Sequence, residues 1–322
     1  MRYFFVYLLV VIPSSLTAKL HMASPYSERV FVTQTSKEFS SRLSQELNLE
    51  IVFHGAESLY KHNEIYRAVR TNQIQFGEIF IAQLSNHAAI FQLDNLPFIA
   101  SNFDDAKLLW QVQQQTLKER LAKDGLHLLF ANPWPAQGLF TQQAITSSEQ
   151  LTGLKVRSYS AITARLADHL KMIPTSVSSA EIAQAFATGM IEAMITSPST
   201  GVSSRAWQFS QYYTPINAWI PKNMVIMNHQ LYSSLSQQQK QKIKTISENY
   251  QELAWQRAEQ QTLQMTNQLT QQGMQLATVT PQLSQAFNAV GQKMAETWLA
   301  EATRSEQVTL TRYLEAKHAV SN

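Results

Sequence analysis

The feature of the sequence that most limits the possible folds is a long segment without helix-breaking residues. Between Ser236 and Gly273, about 36 residues contain neither proline nor glycine. Ile243, Ile246 and Tyr250 recur in it at three- and four-residue spacing, which is the spacing of one helix face. At ~1.5 Å per residue such a helix is about 55 Å long, longer than one domain of this chain needs. The segment therefore predicts a helix that passes from one lobe to another, with two helices and an unmarked break as the alternative.

Shorter strand and helix patterns alternate in two blocks, residues 24–131 and 143–228. The predicted strands are 49–53, 76–81, 126–131, 154–160, 173–177 and 191–196, and the predicted helices between them are 57–71, 104–123, 161–170 and 179–190. Such alternation is typical of βαβ units and parallel sheets. A chain of 322 residues is also long enough for two cores. We therefore predict an α/β fold with two lobes.

The same patterns suggest where the chain passes between the lobes. We expect residues 19–134, with about 223–258, to form lobe I. Residues 135–222, with about 259–322, are expected to form lobe II. Both lobes would then be built from chain segments that are distant in sequence.

Residues 1–18 have the layout of a secretory signal peptide. Arg2 is followed by an apolar run from Tyr3 to Ile12 and then by small and polar residues up to Ala18. The apolar run is too short to span a bilayer comfortably, although an uncleaved anchor is the alternative interpretation. The chain has no cysteine, which excludes disulfides, a cysteine nucleophile and a lipid anchor on cysteine. An exported chain of this kind fits a Gram-negative periplasm.

Several function classes find no support in the sequence. The net charge is only +3, and the basic residues form no stripe that would indicate nucleic-acid binding. The sequence contains no G-x-S-x-G, no phosphate-binding glycine loop and no H-E-x-x-H motif. The eight histidines are scattered without metal-ligand spacing. We therefore expect a protein that is not an enzyme, binds no nucleic acid and has neither cofactor nor metal. We also expect a monomer, although none of these patterns bears on the oligomeric state.

The segment LTGLKVRSYS, residues 151–160, places a cation at the end of a predicted strand. Leu154 and Val156 lie on one face, and Lys155, Arg157 and Tyr159 lie on the other. Ligands of open α/β sheets bind beyond the carboxyl ends of the strands, and a guanidinium matches a carboxylate with two parallel hydrogen bonds. Arg157 can therefore hold a ligand carboxylate, or it can pair with an Asp or Glu of the protein.

Three further segments combine aromatic, amide and hydroxyl side chains. They are NPWPAQGLFT (132–141) and YYTPINAWIPKN (212–223), at the predicted crossings between lobes, and MITSPSTG (194–201), at a strand end. Together with the strand of Arg157 they predict a pocket floor with one cation. The candidate ligand-binding residues from these segments are Arg157, Tyr159, Trp134, Gln137, Thr196, Ser197, Trp219 and Asn223.

Several motifs resemble the DctP family, the extracytoplasmic substrate-binding proteins of TRAP transporters. GLKVR (153–157), AFATGMIEAM (185–194) and DNLPFIAS (94–101) carry the resemblance, which covers essentially the whole mature chain. It implies a two-lobed, periplasmic-binding-protein-like fold with a long helix spanning both lobes. It also implies that Arg157 holds the carboxylate of an organic acid. FHGAESLYKH (53–62) resembles the segment by which the first lobe contributes to the cleft, and there we select Glu57 as a further candidate.

The sequence also departs from the pattern of many sugar-acid binders in this family. These carry a second arginine in the strand before GLKVR, whereas QGLFTQQ (137–143) has none. A dianionic or sialic-acid-like ligand is therefore not expected. One arginine with Trp134, Trp219 and Tyr159 nearby favours a monocarboxylate, such as a 2-oxo, 2-hydroxy or aromatic acid.

The resemblance leads to one main functional hypothesis. The protein would be the periplasmic solute receptor of a TRAP transporter, closing on an organic acid and delivering it to the membrane permease subunits. A sensory ligand-binding protein that signals to a membrane partner is the alternative, and the sequence does not distinguish the two. A periplasmic enzyme on the same scaffold would need a nucleophile or an acid–base pair, and the sequence offers neither.

Overall fold

The computed structural model describes residues 19–321, so the predicted signal peptide lies outside the described residues. The strands are β1 (Leu20–Ala23), β2 (Ile51–His54), β3 (Phe76–Phe80), β4 (Leu126–Pro133), β5 (Gly138–Thr141), β6 (Lys155–Ser158), β7 (Ile173–Ser176), β8 (Ala193–Thr196), β9 (Tyr212–Thr214), β10 (Lys222–Asn228) and β11 (Gln275–Leu276). The helices are α1 (Phe31–Leu47), α2 (His62–Arg70), α3 (Phe103–Lys123), α4 (Ala161–His169), α5 (Ile182–Ala187), α6 (Pro198–Ser203), α7 (His229–Ser234), α8 (Gln237–Gln271), α9 (Pro281–Glu301) and α10 (Arg304–Ser321).

The strands form two sheets. The first has the order β2-β1-β3-β10-β4, and the second has the order β11-β9-β5-β8-β6-β7. Strand β1 is parallel to β2 and β3, and β6 is parallel to β7 and β8. However, β10 runs antiparallel to β3 and β4, and β5 runs antiparallel to β8 and β9.

The parallel pairing expected from the alternation of strands and helices is therefore present in each sheet, but each sheet also contains antiparallel pairs. The physical reason is the way the chain passes between the sheets. Strand β4 leaves the first sheet and β10 returns to it, so these neighbours point in opposite directions. For the same reason β5, which enters the second sheet, is antiparallel to β9, which leaves it.

Helix α8 is one uninterrupted helix of 35 residues, as predicted. The Ser236 hydroxyl caps its start by accepting a hydrogen bond from the Gln239 amide at 3.2 Å. Near its first turns Ile243 belongs to the same buried cluster as Phe39, beside the first sheet. Near its last turns Leu269 packs in a cluster with Phe140 of the second sheet. The helix therefore connects the cores of the two sheets.

The helix predicted at 57–71 begins later, at His62. Ala56 and Glu57 both have φ of 55°, in the left-handed region, which a right-handed helix cannot contain. These two residues instead belong to a turn that follows β2. The correction matters because it places Glu57 in a loop rather than on a helix face.

Two short segments carry the chain between the sheets. Residues 134–137 join β4 to β5, and residues 215–221 join β9 to β10. They are hydrogen-bonded to each other, from the Trp134 amide to the Pro221 carbonyl at 2.8 Å and from the Gln137 amide to the Trp219 carbonyl at 3.0 Å. We call these two residue ranges the crossing segments.

A buried ion pair lies where the second crossing segment enters β10. The ammonium of Lys222 is 3.5 Å from the carboxylate of Asp94, and both side chains are 0% exposed. Asp94 also accepts a hydrogen bond from the Lys222 amide at 3.1 Å. Burial lowers the pKa of Lys222 and raises that of Asp94, while each charge favours the ionised form of the other.

The last two helices complete the packing. Helix α9 contacts α4, beside the second sheet, whereas α10 packs on α3, beside the first. The Trp298 indole of α9 donates to the Ala89 carbonyl at 2.7 Å, so the end of α9 already reaches the first half of the chain.

Within residues 19–321, none of the helices combines the length and the apolarity that a membrane crossing requires.

We expect Asp94→Asn to lower the free energy of unfolding by about 3 kcal/mol, because it leaves the buried Lys222 ammonium without a counter-charge. Urea unfolding of the parent and the variant measures the loss. The matched controls are Lys222→Met and the double variant Asp94→Asn/Lys222→Met. The double variant should lose clearly less than the sum of the two single losses. Strict additivity would mean that the two charges do not stabilise each other.

Candidate functional site

The two sheets and the crossing segments enclose a cavity of about 320 Å³. Residues at or after the ends of β1, β2 and β3 line one side. Residues at or after the ends of β6, β7 and β8 line the other, and the crossing segments form the floor. The lining residues are Pro25, Tyr26, Glu57, His62, Phe80, Gln83, Trp134, Gln137, Arg157, Tyr159, Ser176, Val177, Ser178, Ser179, Thr196, Ser197, Thr200 and Pro221. The volume is that of a site for a small molecule.

Arg157 is the cation of this cavity. It lies in β6 between β7 and β8, and only 6% of it is exposed. Its Nε donates a hydrogen bond to the Val177 carbonyl at 3.0 Å, and its guanidinium lies 4.9 Å from the centre of the Tyr159 ring. Burial lowers its pKa to about 10, so the group is still charged at neutral pH.

No carboxylate of the described chain lies within ion-pair distance of this cation. Across residues 19–321 the arginines that form ion pairs within 4.0 Å are Arg42, Arg120, Arg165 and Arg257. A buried cation without a carboxylate partner is unfavourable unless a ligand supplies one. The sequence left two partners open for Arg157, a ligand carboxylate or an Asp or Glu of the protein. Within the described residues, no Asp or Glu forms an ion pair with it.

Tyr159 and Gln137 join the cation to the first crossing segment. The Tyr159 hydroxyl donates to the Gln137 side-chain oxygen at 3.0 Å, and the Gln137 side-chain nitrogen donates to the Pro135 carbonyl at 2.8 Å. The Tyr159 ring also meets Phe80 edge-on, with centroids 5.9 Å apart. Burial raises the pKa of Tyr159, so its hydroxyl keeps its proton. These contacts hold the aromatic ring in place beside the guanidinium.

Trp134 forms the apolar part of the floor. Its ring packs edge-on against Tyr26 and Phe31, at centroid distances of 5.1 and 5.7 Å. Its indole nitrogen donates to the Asn223 side-chain oxygen at 2.9 Å. Asn223 is fully buried behind Trp134 and does not line the cavity. Its contact with the site is therefore made through Trp134.

The wall on the side of the first sheet is polar. Glu57 accepts a hydrogen bond from the His62 amide at 3.0 Å, and its other oxygen is 3.5 Å from the Lys61 ammonium. The His62 Nε2 accepts from the Phe80 amide at 3.4 Å, which places the proton of the neutral ring on Nδ1. Burial lowers the pKa of His62 to about 4. The histidine is therefore a neutral group of the cavity wall at neutral pH.

Hydroxyl groups line the opposite side. Ser197 caps α6, its hydroxyl accepting from the Thr200 amide at 3.1 Å. Thr196 ends β8 beside it and is 3% exposed. Ser178 donates to Glu181 at 2.6 Å, which orders the turn after β7. These hydroxyls can both donate and accept, so they suit a neutral polar part of a ligand.

Seven of the nine candidate residues selected from the sequence line the cavity, and two do not. Those at the cavity are Arg157, Tyr159, Trp134, Gln137, Thr196, Ser197 and Glu57. Trp219 is 0% exposed and packs in the main hydrophobic cluster, and Asn223 lies behind Trp134. The side chains of these two residues face the interior, whereas that of Trp134 faces the cavity.

Sequence reasoning missed several residues of the wall, notably Tyr26, His62, Phe80 and Gln83. Tyr26 was missed because β1 is a four-residue strand whose short apolar pattern carries no clear periodicity. In the sequence His62 is one of eight scattered histidines without metal-ligand spacing. Its place at the start of α2, directly after the cleft segment 53–62, is the signal that would have found it. Within the described part of the chain, no group of three or more His, Cys, Asp or Glu side chains is placed to hold a metal ion.

Comparison with known families assigns the chain. A family model described as DctP, bacterial extracellular solute-binding protein family 7, matches residues 22–301. The chain belongs to the DctP family. The predicted family is therefore confirmed, and the motif GLKVR that carried the resemblance is the one that brings Arg157 into the cavity.

Solved structures of similar solute-binding proteins share the fold. DctP7 of Bordetella pertussis, an extracytoplasmic solute receptor binding pyroglutamic acid, is 32% identical with a TM-score of 0.88, covering 92% of this chain and 99% of that chain. DctP6 of the same organism, also binding pyroglutamic acid, is 31% identical with a TM-score of 0.89 and the same coverage. A marine metagenome TRAP solute binding protein, specific for pyroglutamate, is 32% identical with a TM-score of 0.87, covering 93% and 99%. No curated protein matches the chain. The predicted α/β fold with a long connecting helix is confirmed.

We expect the His62 ring to stay neutral down to about pH 5, because its folded-state pKa is about 4. A histidine with a lowered pKa stabilises the fold fully above about pH 6.5, and this contribution is lost as the pH falls towards 4. NMR titration of the ring protons should give the low pKa directly. Between about pH 4 and 6.5, the free energy of unfolding should also depend less on pH in His62→Gln than in the parent. The slopes should differ by up to about 1 kcal/mol per pH unit.

His127→Gln is the matched control for this measurement. Burial also lowers the pKa of His127 to about 4, but this residue stacks on Tyr232, outside the cavity. Both variants should flatten the acid limb, and only His62→Gln should disturb the resonances of cavity residues. A His62 ring that titrates near pH 6.5 would show that it is hydrated rather than buried.

Proposed function

We propose that this DctP protein is the periplasmic solute receptor of a TRAP transporter and that it captures a small monocarboxylate, with pyroglutamate as the first candidate. The observation that carries the proposal is Arg157. It is buried in the cavity, charged at neutral pH and without a carboxylate partner among residues 19–321. A ligand carboxylate supplies the missing charge and can accept from the two terminal guanidinium nitrogens.

The ligand class follows from the rest of the lining. The cavity holds one guanidinium, and the aromatic rings of Tyr159, Phe80 and Trp134 give it an apolar surface. Pyroglutamate has one carboxylate, a small ring with apolar carbons, and a lactam with one donor and one acceptor. The hydroxyls of Thr196 and Ser197, with the Glu57 carboxylate, supply groups that can satisfy a lactam. The three similar receptors that bind pyroglutamate support the same choice.

Capture is proposed to occur by closure around the crossing segments. Lobe I would be built on the first sheet and lobe II on the second, largely as the sequence predicts, with α10 assigned to lobe I because it packs on α3. The ligand docks on Arg157 of lobe II, and hinging brings the wall of Tyr26, Glu57 and His62 over it. Water leaves, and the charge-assisted hydrogen bonds strengthen. The closed form would then be recognised by the membrane permease, and no reaction would be carried out on the ligand.

The location of the protein forms part of the proposal. Residues 1–18 would direct export and be removed, which leaves the receptor in the periplasm beside its permease. The mature chain would then begin near Lys19, immediately before β1, so cleavage would not remove any part of the first sheet.

Arg157→Ala is expected to weaken pyroglutamate binding by about 2–5 kcal/mol, which is the range for losing one partner of a buried charge pair. Isothermal titration calorimetry on the parent and the variant measures the loss. Arg165→Ala is the matched control, because Arg165 lies on the neighbouring helix α4 and pairs with Glu301 at 3.4 Å, away from the cavity. Unchanged affinity in Arg157→Ala, for whichever acid binds the parent, would place the carboxylate elsewhere.

A thermal-shift screen tests the ligand class separately. At about 100 times its dissociation constant a ligand should add about 2.7 kcal/mol of stability. We expect pyroglutamate to stabilise the protein strongly, cyclopentanecarboxylate less and 2-pyrrolidinone not at all, because these compounds lack the lactam and the carboxylate respectively. A 2-oxo, a 2-hydroxy and an aromatic acid complete the screen. If one of these acids gives a larger thermal shift, that acid replaces pyroglutamate as the candidate ligand. The role of Arg157 is then still decided by the calorimetry of Arg157→Ala.

A further inference from the structure

Besides Asp94, the carboxylate of Glu78 is also buried. It lies behind the cavity and does not line it. Glu78 lies in the middle of β3 and is 0% exposed. One oxygen accepts from the side-chain nitrogens of Asn132, at 3.0 Å, and Asn223, at 2.9 Å. The other oxygen accepts from the Ser24 hydroxyl at 2.7 Å. Its partners are therefore neutral donors.

The two asparagines place this carboxylate at the base of the hinge. Asn132 lies two residues before Trp134, and Asn223 follows the second crossing segment at the start of β10. They face each other across the antiparallel pair of β4 and β10. The carboxylate of Glu78 therefore joins the root of one crossing segment to the root of the other.

The same carboxylate also acts on the cavity floor. The Asn223 amide nitrogen donates to Glu78, and the Asn223 oxygen accepts from the Trp134 indole at 2.9 Å. A rotation of the Asn223 amide would therefore break both contacts at once. The orientation of the Trp134 ring in the cavity thus depends on an acceptor at the position of Glu78.

The Ser24 hydroxyl allows Glu78 to gain and lose a proton without losing its hydrogen bond to Ser24. When it is ionised, the Ser24 hydroxyl donates to it. When it is protonated, it can donate to Ser24, whose hydroxyl then turns towards Thr33, 3.2 Å away. Burial without a cation raises its pKa to about 7. The hydrogen bonds from the two asparagines weaken on protonation, because a charged acceptor binds a donor more strongly than a neutral one.

The elements packed around Glu78 present no cation to its carboxylate within 4.0 Å among residues 19–321. After β1 the titratable group is Tyr26, whose pKa is raised far above neutral by burial and by the charge of Glu78. Helix α1 contributes Ser36, while β4 and β10 contribute the two asparagines, all of them uncharged. The neighbouring Lys222 pairs with Asp94. Glu78 is therefore the group of this network that titrates near neutral pH.

We propose that Glu78 is a positioning residue for ligand capture. Through Asn132 and Asn223 its ionised carboxylate holds the two crossing segments and the Trp134 indole in the arrangement that receives the ligand, and protonation loosens that arrangement. The effect on ligand affinity rests on the function proposed above, whereas the effect on Trp134 does not. Affinity for the anionic ligand should therefore decrease as the pH falls from 8.5 to 5.5.

The first experiment needs no ligand. The chain has six tryptophans, so the ¹⁵N-labelled protein should show six indole N–H resonances, and Trp134→Phe identifies the one of interest. We expect this resonance to move with pH along a single curve with its midpoint near 7, and to stay in place between pH 5.5 and 8.5 in Glu78→Gln. Arg157 and His62 titrate outside this window. A resonance that moves equally in both proteins, or in neither, would overturn the proposal.

Glu78→Gln is expected to fold, because the Gln oxygen can still accept from both asparagines and its nitrogen can donate to Ser24, while the buried charge is removed. The control is Glu248→Gln, which makes the same chemical change at a side chain that is 63% exposed on α8. This variant should retain the pH response of the Trp134 resonance. A loss of that response in the control would show that the response does not report on Glu78.

The second experiment measures binding of L-pyroglutamate by calorimetry at pH 8.5 and 5.5. The dissociation constant of the parent should rise about fivefold at the lower pH, the factor expected when a hydrogen bond to a charged acceptor becomes one to a neutral acceptor. Glu78→Gln should bind equally at both pH values and resemble the parent at pH 5.5. A parent and a variant with the same pH dependence would contradict the proposal.

The two experiments separate the two proposals. If L-pyroglutamate fails to bind the parent at either pH, the ligand proposed above is wrong, and the NMR titration still decides the role of Glu78. If L-pyroglutamate binds and the Trp134 resonance does not respond to Glu78, the ligand proposal stands and the positioning role is rejected.

Discussion

The site depends on a buried arginine whose charge the described protein does not neutralise. Arg157 is held by the Val177 carbonyl and the Tyr159 ring, neither of which carries an opposite charge. Removing a cation from water is costly, so this arrangement is favourable only if folding elsewhere supplies the free energy and a ligand later supplies the anion. In the proposed function, the aromatic and hydroxyl side chains of the lining select among the anions that can bind. The proposed preference for a carboxylate ligand therefore depends on the guanidinium of Arg157, which has no carboxylate partner within the described residues.

The start of β10, next to the second crossing segment, presents the opposite situation, because the buried carboxylates that it contacts, Asp94 and Glu78, have partners within the described protein. Lys222 and Asn223 are consecutive residues of β10, so their side chains point to opposite faces of the first sheet. On one face Lys222 pairs with Asp94, and on the other Asn223 donates to the carboxylate of Glu78. The first network contains a cation and a carboxylate. The second contains one carboxylate and neutral donors, and the proposed response to pH rests on this arrangement.

The parts of the fold that could be predicted from the sequence are those with local causes. Helix α8 could be predicted from the spacing of its apolar residues, from Ser236 as its N-cap and from Gly273 after its end, because each of these signals acts within a few residues. Strand β1 and the antiparallel direction of β10 could not be read in the same way. A strand of four residues has little periodicity, and strand direction depends on how the chain passes between sheets rather than on side chains.

By itself, the sequence determined that the chain has strands alternating with helices, one unusually long helix, and an arginine at the end of a strand. It did so because spacing, capping and side-chain chemistry act over short distances. Only the tertiary structure decided that Trp134 faces the cavity while Trp219 and Asn223 lie behind it, and that no carboxylate of the described residues reaches Arg157. These outcomes depend on contacts between residues that are far apart in the chain, and no local pattern records which side of a crossing segment will meet solvent.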